Sequence, residues 1–322
     1  MTKTIAATAV ALFLTLPAGA AETPTPAAGV LASMRPPVRV ERPGTAKLPA
    51  ELGMRLMGGD VVSVGAGGAA LLYVAGGAIV RVPEGGRFEL SARPDPAKKP
   101  EAKLSAGAMK TSESGLWVLN DPEGSILVAG MRGDGDAAWS DASALRSEPL
   151  SPRYEKLLTR TPSFVAGPGP RPVKIAVAQG KSPVWRSGSL EGNGPWSPEG
   201  IPDLDAKKVY SWRLESAADG APLSEWVPFR VPAAEDAESA RSFEKEISAL
   251  AASADGASAA DVLRCGRYLE TSSWTPLLAA ATRLLAAQPD STVAKRARES
   301  ALRGLRLDPE RAAALVASPA QR

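Results

Sequence analysis

Short apolar runs separated by glycine-rich turns recur along the first half of the chain. One such run contains Leu71 and Tyr73, and the next contains Ile79, Val80 and Val82. Glycine pairs divide these runs into segments of about six residues, which is typical of strands joined by tight turns. The pattern predicts an all-β domain over residues 51–147.

A second series of short apolar runs follows a proline-rich join. Polar and apolar side chains alternate in Tyr210-Ser211-Trp212-Arg213-Leu214, which is typical of a strand with one buried face. The tryptophans of this segment are Trp185, Trp196, Trp212 and Trp226. Short strands with buried tryptophan predict a small β-sandwich over residues 148–232.

Beyond residue 232 the spacing of apolar residues becomes helical. The first predicted helix carries its apolar residues on one stripe: Ala240, Phe243, Ile247 and Leu250. We expect Thr275 and Ser291 to cap two later helices and Asp308-Pro309 to begin the last one. Short connections between these helices predict a bundle or a helical repeat over residues 233–322.

The start of the chain has the pattern of a secretory signal peptide. Lys3 precedes an apolar stretch, Ile5–Leu16, and the small residues Ala18-Gly19-Ala20 follow a proline. The apolar stretch has about 12 residues, fewer than the ~20 that span a bilayer. We therefore predict a cleaved signal peptide over residues 1–21, export of the rest, and no membrane span after cleavage. Residues 22–50 are rich in proline and are predicted to be an exposed lead-in with a short strand at Val38–Glu41.

Composition narrows the chemistry that the chain can perform. The 322 residues include one Cys and no His, which excludes His-dependent catalytic triads and His-based zinc sites. The formal net charge of +3 gives no long-range attraction to nucleic acid. Cys265 has no second Cys within the chain to pair with, so we expect a buried thiol, with an intermolecular disulfide as the alternative.

The segment from Leu56 to Leu90 resembles the FecR domain of bacterial envelope proteins. The similarity lies in Gly59-Asp60-Val61-Val62 and in Gly67-Gly68-Ala69-Ala70-Leu71-Leu72, whereas Gly76-Gly77-Ala78 lacks the usual Asp of the next turn. The resemblance implies an extracytoplasmic, non-catalytic β domain used in envelope signalling or binding. The best-known relatives also have a cytoplasmic segment and a membrane helix, which we do not find in this chain.

Two further resemblances complete the predicted fold class. Residues 148–232 look like the Ig-like domain that often follows a FecR module. The C-terminal helices are similar to tetratricopeptide repeats, with Tyr268, Trp274 and Pro289 at matching offsets. The expected fold is therefore a multidomain β and α protein with a FecR-like domain, an Ig-like sandwich and a helical repeat region.

One acidic loop has the residue types of a cation site. Asp134, Asp136 and Asp141 lie among glycines, and such carboxylates can wrap a hard cation such as Ca²⁺. The loop lacks the remaining oxygen ligands and the terminal bidentate Glu of a calcium loop. A solvated loop is the favoured interpretation, and we expect no metal and no cofactor.

Other motifs have simpler interpretations than their functional ones. Gly65-x-Gly67-x-x-Ala70 fits a dinucleotide fingerprint, yet a strand follows it where that motif needs a helix. Ser242-x-x-Lys245 fits the nucleophile motif of penicillin-recognising enzymes, whose partner motifs do not follow. A basic run near the C-terminus includes interspersed acids and no stacking aromatics, which favours a solvated helix face over a lipid or nucleic-acid site: Lys295, Arg296, Arg298, Arg303 and Arg306.

Together these patterns predict an exported, non-catalytic binding or scaffold protein of the cell envelope. Its expected partners are an envelope protein or a glycan, and nucleic acid is not expected. The alternative is a soluble periplasmic component of a signal-transduction system of the sigma-regulator type. A remote alternative is an envelope hydrolase that works through carboxylates alone.

Overall fold

The computed structural model describes residues 27–45, 47–74, 78–90, 102–103, 119, 147–253 and 256–317. Within these residues the chain forms β-sheets followed by C-terminal helices, so the predicted mixed β and α class is confirmed. The predicted signal peptide lies outside the described residues.

The strands and helices fall into three consecutive groups. The first β unit contains β1 (Ala27–Arg35), β2 (Val38–Glu41), β3 (Leu48–Pro49), β4 (Arg55–Met57), β5 (Val61–Val64), β6 (Ala69–Val74), β7 (Ala78–Val82), β8 (Arg87–Glu89) and β9 (Ala102–Lys103). The second β unit contains β10 (Pro149–Ser151), β11 (Glu155–Lys156), β12 (Val165–Ala166), β13 (Val173–Gln179), β14 (Ser182–Arg186), β15 (Tyr210–Ser216) and β16 (Val227–Arg230). The helices are α1 (Ala234–Ala251), α2 (Gly256–Glu270), α3 (Trp274–Ala287), α4 (Thr292–Leu305) and α5 (Pro309–Ala317).

The first β unit is built from two sheets packed face to face. The first sheet has the strand order β4-β1-β6-β7-β9, and the second sheet has the order β3-β2-β5-β8. Leu31, Leu56 and Leu72 of the first sheet meet Val40 and Val62 of the second sheet in one apolar cluster. Alternate side chains of each strand thus fill the space between the sheets.

The first sheet is buried on both of its faces. Its other face carries Val30, Leu71, Tyr73 and Ile79, which belong to the apolar cluster of the helices. The cluster extends into every helix, and α2 lies directly against β1. This double coverage explains why β6 shows an almost unbroken apolar run instead of a polar and apolar alternation.

The segment 22–50 contains more than an exposed lead-in. β1 occupies residues 27–35 and lies between β4 and β6, and its Val30 and Leu31 are fully buried. The prolines that suggested an extended linker flank this strand. Proline is excluded from the hydrogen-bonded interior of a sheet and tolerated at a strand end, so the composition of the flanks hid the strand.

The Gly59-Asp60 pair forms the turn between β4 and β5. Gly59 has a φ of 88°, a left-handed conformation that favours glycine. The buried carboxylate of Asp60 accepts two hydrogen bonds from the Arg42 guanidinium, at 3.0 and 2.8 Å, and one from the N–H of Met57 at 2.8 Å. The aspartate therefore ties this turn to the end of β2.

The second β unit has its own aromatic core beneath a five-stranded sheet. This third sheet has the order β11-β16-β15-β13-β14, and a two-stranded sheet pairs β10 with β12. Phe164 contacts Trp212 at a ring-centroid distance of 4.9 Å and Phe229 at 6.2 Å. The strand predicted from the alternation in Tyr210–Leu214 lies within β15, as expected.

The helices follow the predicted apolar stripe and one of the two predicted caps. Phe243 and Ile247 of α1 are buried as expected, and Ser291 Oγ accepts a hydrogen bond from the N–H of Ala294 at the start of α4. The expected cap at Thr275 is wrong. Helix α3 begins at Trp274, and the Thr275 side chain bonds to the second β unit instead.

Candidate functional site

The two sequence motifs that resemble a penicillin-enzyme nucleophile and a dinucleotide fingerprint occupy solvated or structural positions. Ser242 and Lys245 are both exposed on α1. Gly65 and Gly67 lie in the turn between β5 and β6, where the N–H of Gly68 donates to the carbonyl of Gly65 at 3.1 Å. The Ser242-x-x-Lys245 motif thus lies on a solvated helix face, and the Gly65-x-Gly67 motif forms a β-turn.

The predicted acidic cation site lies outside the described residues. Asp134, Asp136 and Asp141 fall within residues 120–146, to which the description does not extend. Among the residues that are described, no group of three or more Cys, Asp or Glu side chains is placed to hold a metal ion.

The basic run of α4 is divided between solvent and internal contacts. Arg303 pairs with Glu299 at 2.8 Å on the exposed face. Arg306 instead stacks over Tyr154 of the second β unit, with its guanidinium carbon 4.2 Å from the ring centroid. Arg296 donates to the carbonyl of Leu119 at 2.8 Å. The run therefore does not act as one continuous basic surface.

Cys265 is fully buried on α2. Burial raises the pKa of its thiol, because a thiolate loses its hydration in the apolar core. This position fits the predicted role of a small core side chain.

A buried polar cluster joins the second β unit to the start of α3. Glu155 is 1% exposed, and its Oε1 accepts hydrogen bonds from Thr275 Oγ1 at 2.7 Å and from Ser151 Oγ at 3.3 Å. The N–H of Arg153 donates to the same oxygen at 3.3 Å, and the N–H of Thr275 donates to Oε2 at 2.9 Å. The carboxylate thus takes the place of a helix cap, where the helix dipole favours negative charge.

Burial dominates the electrostatics of Glu155. The loss of water raises the pKa of this carboxyl above its ordinary value, although the hydrogen-bond donors around it favour the charged form. The cluster is closed from outside, since Trp274 Nε1 donates to the carbonyl of Tyr154 at 2.9 Å and Arg153 Nε donates to that of Leu305 at 2.7 Å. We assign the cluster a structural role, which is to fix the helices on the second β unit.

The outer face of the third sheet presents a different kind of polar arrangement. Ala176 of β13 is paired with Arg213 on β15 and with Arg186 on β14, so the two arginines flank this small residue. The Arg213 guanidinium carbon lies 4.5 Å from the centroid of the Trp226 ring, a cation–π contact. Arg186, Arg213 and Trp226 thus form a row across the third sheet.

Glu215 fixes both arginines in this row. Its carboxylate accepts from Arg213 at 2.6 Å and from Arg186 at 3.1 Å, while its own side chain is only 3% exposed. Burial opposes the charge of Glu215, but the hydrogen bonds and the charges of the two arginines together hold its pKa below the ordinary value. The side chain of Arg186 remains 54% exposed and that of Arg213 remains 23% exposed, so both are held in place yet open to solvent.

Lys174 and a groove border this row, and a further cation, Arg230, lies on the same face four residues after Trp226. Lys174 is paired with Glu215 across β13 and β15, and Arg230 is exposed at the end of β16. Lys174 also lines a groove with a volume of about 750 Å³ between the start of β13 and the turn that follows β15, together with Pro170, Pro172, Ser216, Pro222 and Leu223. We name the row with Lys174 and Arg230 the basic face, and it is the candidate interaction site.

The basic face is not apparent from the sequence alone. The alternation in Tyr210–Leu214 did indicate that Arg213 points away from the core. Which residues lie beside Arg213 depends on the pairing of β13, β14 and β15, and that pairing is not visible in one sequence.

The comparisons leave the chain without an assigned relative. No known family, curated protein or solved structure matches it. Within the described part of the chain, none of the helices combines the length and apolar character needed to cross a membrane.

Proposed function

We propose that this chain is an exported, non-catalytic binding or scaffold protein of the cell envelope. In this proposal the first β unit is FecR-like, the second is Ig-like, and the helices are related to tetratricopeptide repeats. The signal-peptide pattern of residues 1–21 supports export, and the strand–turn pattern from Leu56 to Leu90 supports the FecR-like assignment.

The observation that carries the proposal is the fixed arrangement of the basic face. Glu215 holds Arg186 and Arg213 before any partner arrives, so binding costs little additional side-chain entropy. The arginines project from paired strands, which position side chains more accurately than loops do. This arrangement is suited to recognition of a partner from the envelope, a protein or a glycan.

The scaffold part of the proposal is supported by the shared core. Leu52 of the first β unit and Leu150 of the second lie in one apolar cluster with the helices. At Gly53 an added Cβ would lie 2.5 Å from Val293 Cγ2 on α4, which shows how closely the first unit approaches the helices. Such contacts hold binding surfaces in a fixed relation.

Site-specific photocrosslinking in cells tests the proposal. A photoreactive residue at Arg230 is expected to give a discrete crosslinked species in the envelope fraction, on a chain whose first 21 residues have been removed. The same residue at Lys245, exposed on α1, is the matched control. Retention of the precursor in the cytoplasm would refute export, and equal labelling at both positions would refute a role for the basic face.

A signalling role is the second candidate, and it rests on the same FecR-like pattern. In that case the basic face contacts a separate membrane regulator, and neutralising it changes the transcription of the regulated genes. An unchanged transcriptome in the Arg230→Gln strain would refute this candidate. The hydrolase alternative finds less support, because the neighbouring acids Glu244 and Asp261 are both ion-paired with Arg264, at 3.0 and 3.3 Å.

A further inference from the structure

We propose that the basic face and its adjoining groove bind a segment of an acidic polysaccharide. This inference rests on the proposed binding function and specifies the chemistry of the partner. It starts from the charges that remain after the internal ion pairs are satisfied.

The basic face has an excess of positive charge that the protein itself does not neutralise. Glu215 is the acid inside the row, and it is shared between Arg186 and Arg213. Lys174 lies opposite Glu215 on the neighbouring strand, and Arg230 adds an exposed cation on the same face, farther along β16. An anionic partner complements this surface, and the arginine forks match carboxylate or phosphate groups.

The spread of the cations favours an extended partner over a single small anion. Arg186, Lys174, Arg213 and Arg230 lie on β14, β13, β15 and β16, which are successive neighbours in the third sheet. At about 4.8 Å between adjacent strands, these positions cover about 14 Å across the sheet, and the register sets Arg230 about four residues away from Arg213 along the strands. Acidic groups repeated along a polymer can meet several of these cations at once.

The groove favours a carbohydrate among the anionic polymers. Its volume of about 750 Å³ lies within the range of ligand sites, and Lys174 stands where it meets the basic face. Pro170, Pro172, Pro222 and Leu223 give it apolar walls, while Ser189 and Ser216 supply hydroxyl groups. Its charged lining residues are Arg171, Lys174 and Asp219, so two cations face one carboxylate. Sugar rings present apolar C–H faces and hydroxyls together, so they match both parts of this lining.

The face is less suited to nucleic acid. Base recognition by single-strand binders relies on exposed aromatic rings on which bases stack. Arg213 already lies over the ring of Trp226. A nucleic-acid ligand would therefore have to displace a contact that the folded protein makes for itself.

The test measures binding of the full chain to polygalacturonate, with neutral dextran of similar length as the comparison. The test variant is Lys174→Gln with Arg230→Gln, which leaves the two arginines of the row and Glu215 in place. Glutamine is used at position 174 because a carboxylate there would repel Glu215 across the strand pair. The control variant, Lys245→Gln with Arg298→Gln, makes the same change of net charge at exposed residues of α1 and α4.

We expect the wild-type chain to bind polygalacturonate and not dextran, with affinity that falls as salt rises. The test variant is expected to bind about tenfold more weakly, while the control variant stays within about twofold of wild type. Thermal unfolding of each variant confirms that it is folded.

Three outcomes would overturn the inference. They are no binding of the acidic polysaccharide, equal loss of binding in both variants, or equal binding of poly-glutamate or a single-stranded oligonucleotide with the same dependence on Lys174 and Arg230. If any of these occurs while the crosslink at Arg230 persists, the glycan inference fails and the proposed binding function stands. If the crosslink is also lost, both fail.

Discussion

Replacing Thr275 with valine removes one hydroxyl from the buried cluster around Glu155 and leaves the shape of the side chain almost unchanged. The lost hydrogen bond, from Thr275 Oγ1 to Glu155 Oε1, measures 2.7 Å and is the shortest that this carboxylate accepts from the residues around it. The N–H of Thr275 stays in place, so the helix start is kept.

The expected effect follows from the charge and burial of the acceptor. Hydrogen bonds to charged groups contribute about 1.5–3 kcal/mol, and the partner left behind is a carboxylate that water does not reach. We expect Thr275→Val to lower the free energy of unfolding at neutral pH by about 2 kcal/mol.

The raised pKa of Glu155 also determines in which direction this effect changes with pH. Because burial raises the pKa of Glu155 in the folded protein, the native state binds this proton more tightly than the unfolded chain. The contribution of Glu155 to stability is therefore greatest below its unfolded pKa of about 4.3 and declines as pH rises through the folded value. The hydroxyl of Thr275 stabilises the charged form, so the loss in Thr275→Val grows as pH rises through the folded pKa of Glu155 and is smaller near pH 4.

Urea denaturation followed by tryptophan fluorescence at pH 7.5 and pH 4 measures both effects. Trp274 lies beside the cluster and reports on it directly. The matched control is Thr282→Val on the same helix, where the hydroxyl donates to the Leu278 carbonyl at 2.8 Å, a bond within the helix itself. Equal changes in the two variants, or a Thr275→Val effect that grows toward pH 4, would refute the account of Glu155.

Three more predictions concern separate sites. Gly304→Ala is expected to lower the free energy of unfolding by about 1–3 kcal/mol, because the new Cβ would lie 2.4 Å from Trp274 Cδ2. This loss is expected although alanine normally favours a helix over glycine. Gly188→Ala, where the added Cβ would meet open space, should be neutral in the same denaturation assay. Cys265 should not react with a thiol reagent until the protein is unfolded, since its thiol is buried with a raised pKa; rapid reaction of the native protein would contradict this. Glu215→Gln should lower stability by about 1 kcal/mol at pH 7 and progressively less as pH falls through the lowered folded pKa of Glu215, as measured by unfolding at several pH values.

The elements that local pattern specifies were predicted well. The stripe through Phe243 identified α1 because the residues that meet the core recur at the helical period. The alternation around Trp212 identified β15 and its buried face for the same kind of reason. In both cases the information lies within a few neighbouring residues.

The features that depend on distant residues were missed. The nearby sequence predicts that Thr275 caps a helix, yet the residue to which its hydroxyl donates, Glu155, is 120 positions away. The prolines that flank β1 predict a lead-in, whereas the burial of β1 comes from its pairing with β4 and β6 and from the helices that cover it. The basic face needed the register that places Arg186 and Arg213 beside one residue, and only the assembled sheet supplies it.

The double coverage of the first sheet has a consequence for how the chain folds as it is made. The first β unit is synthesised early, whereas the helices that cover the face carrying Val30 and Leu71 are synthesised last. Until they arrive, that apolar face is open to water and to other chains. The chain therefore passes through an aggregation-prone, partly folded intermediate. We expect truncation before α1 to yield aggregates instead of an isolated β unit.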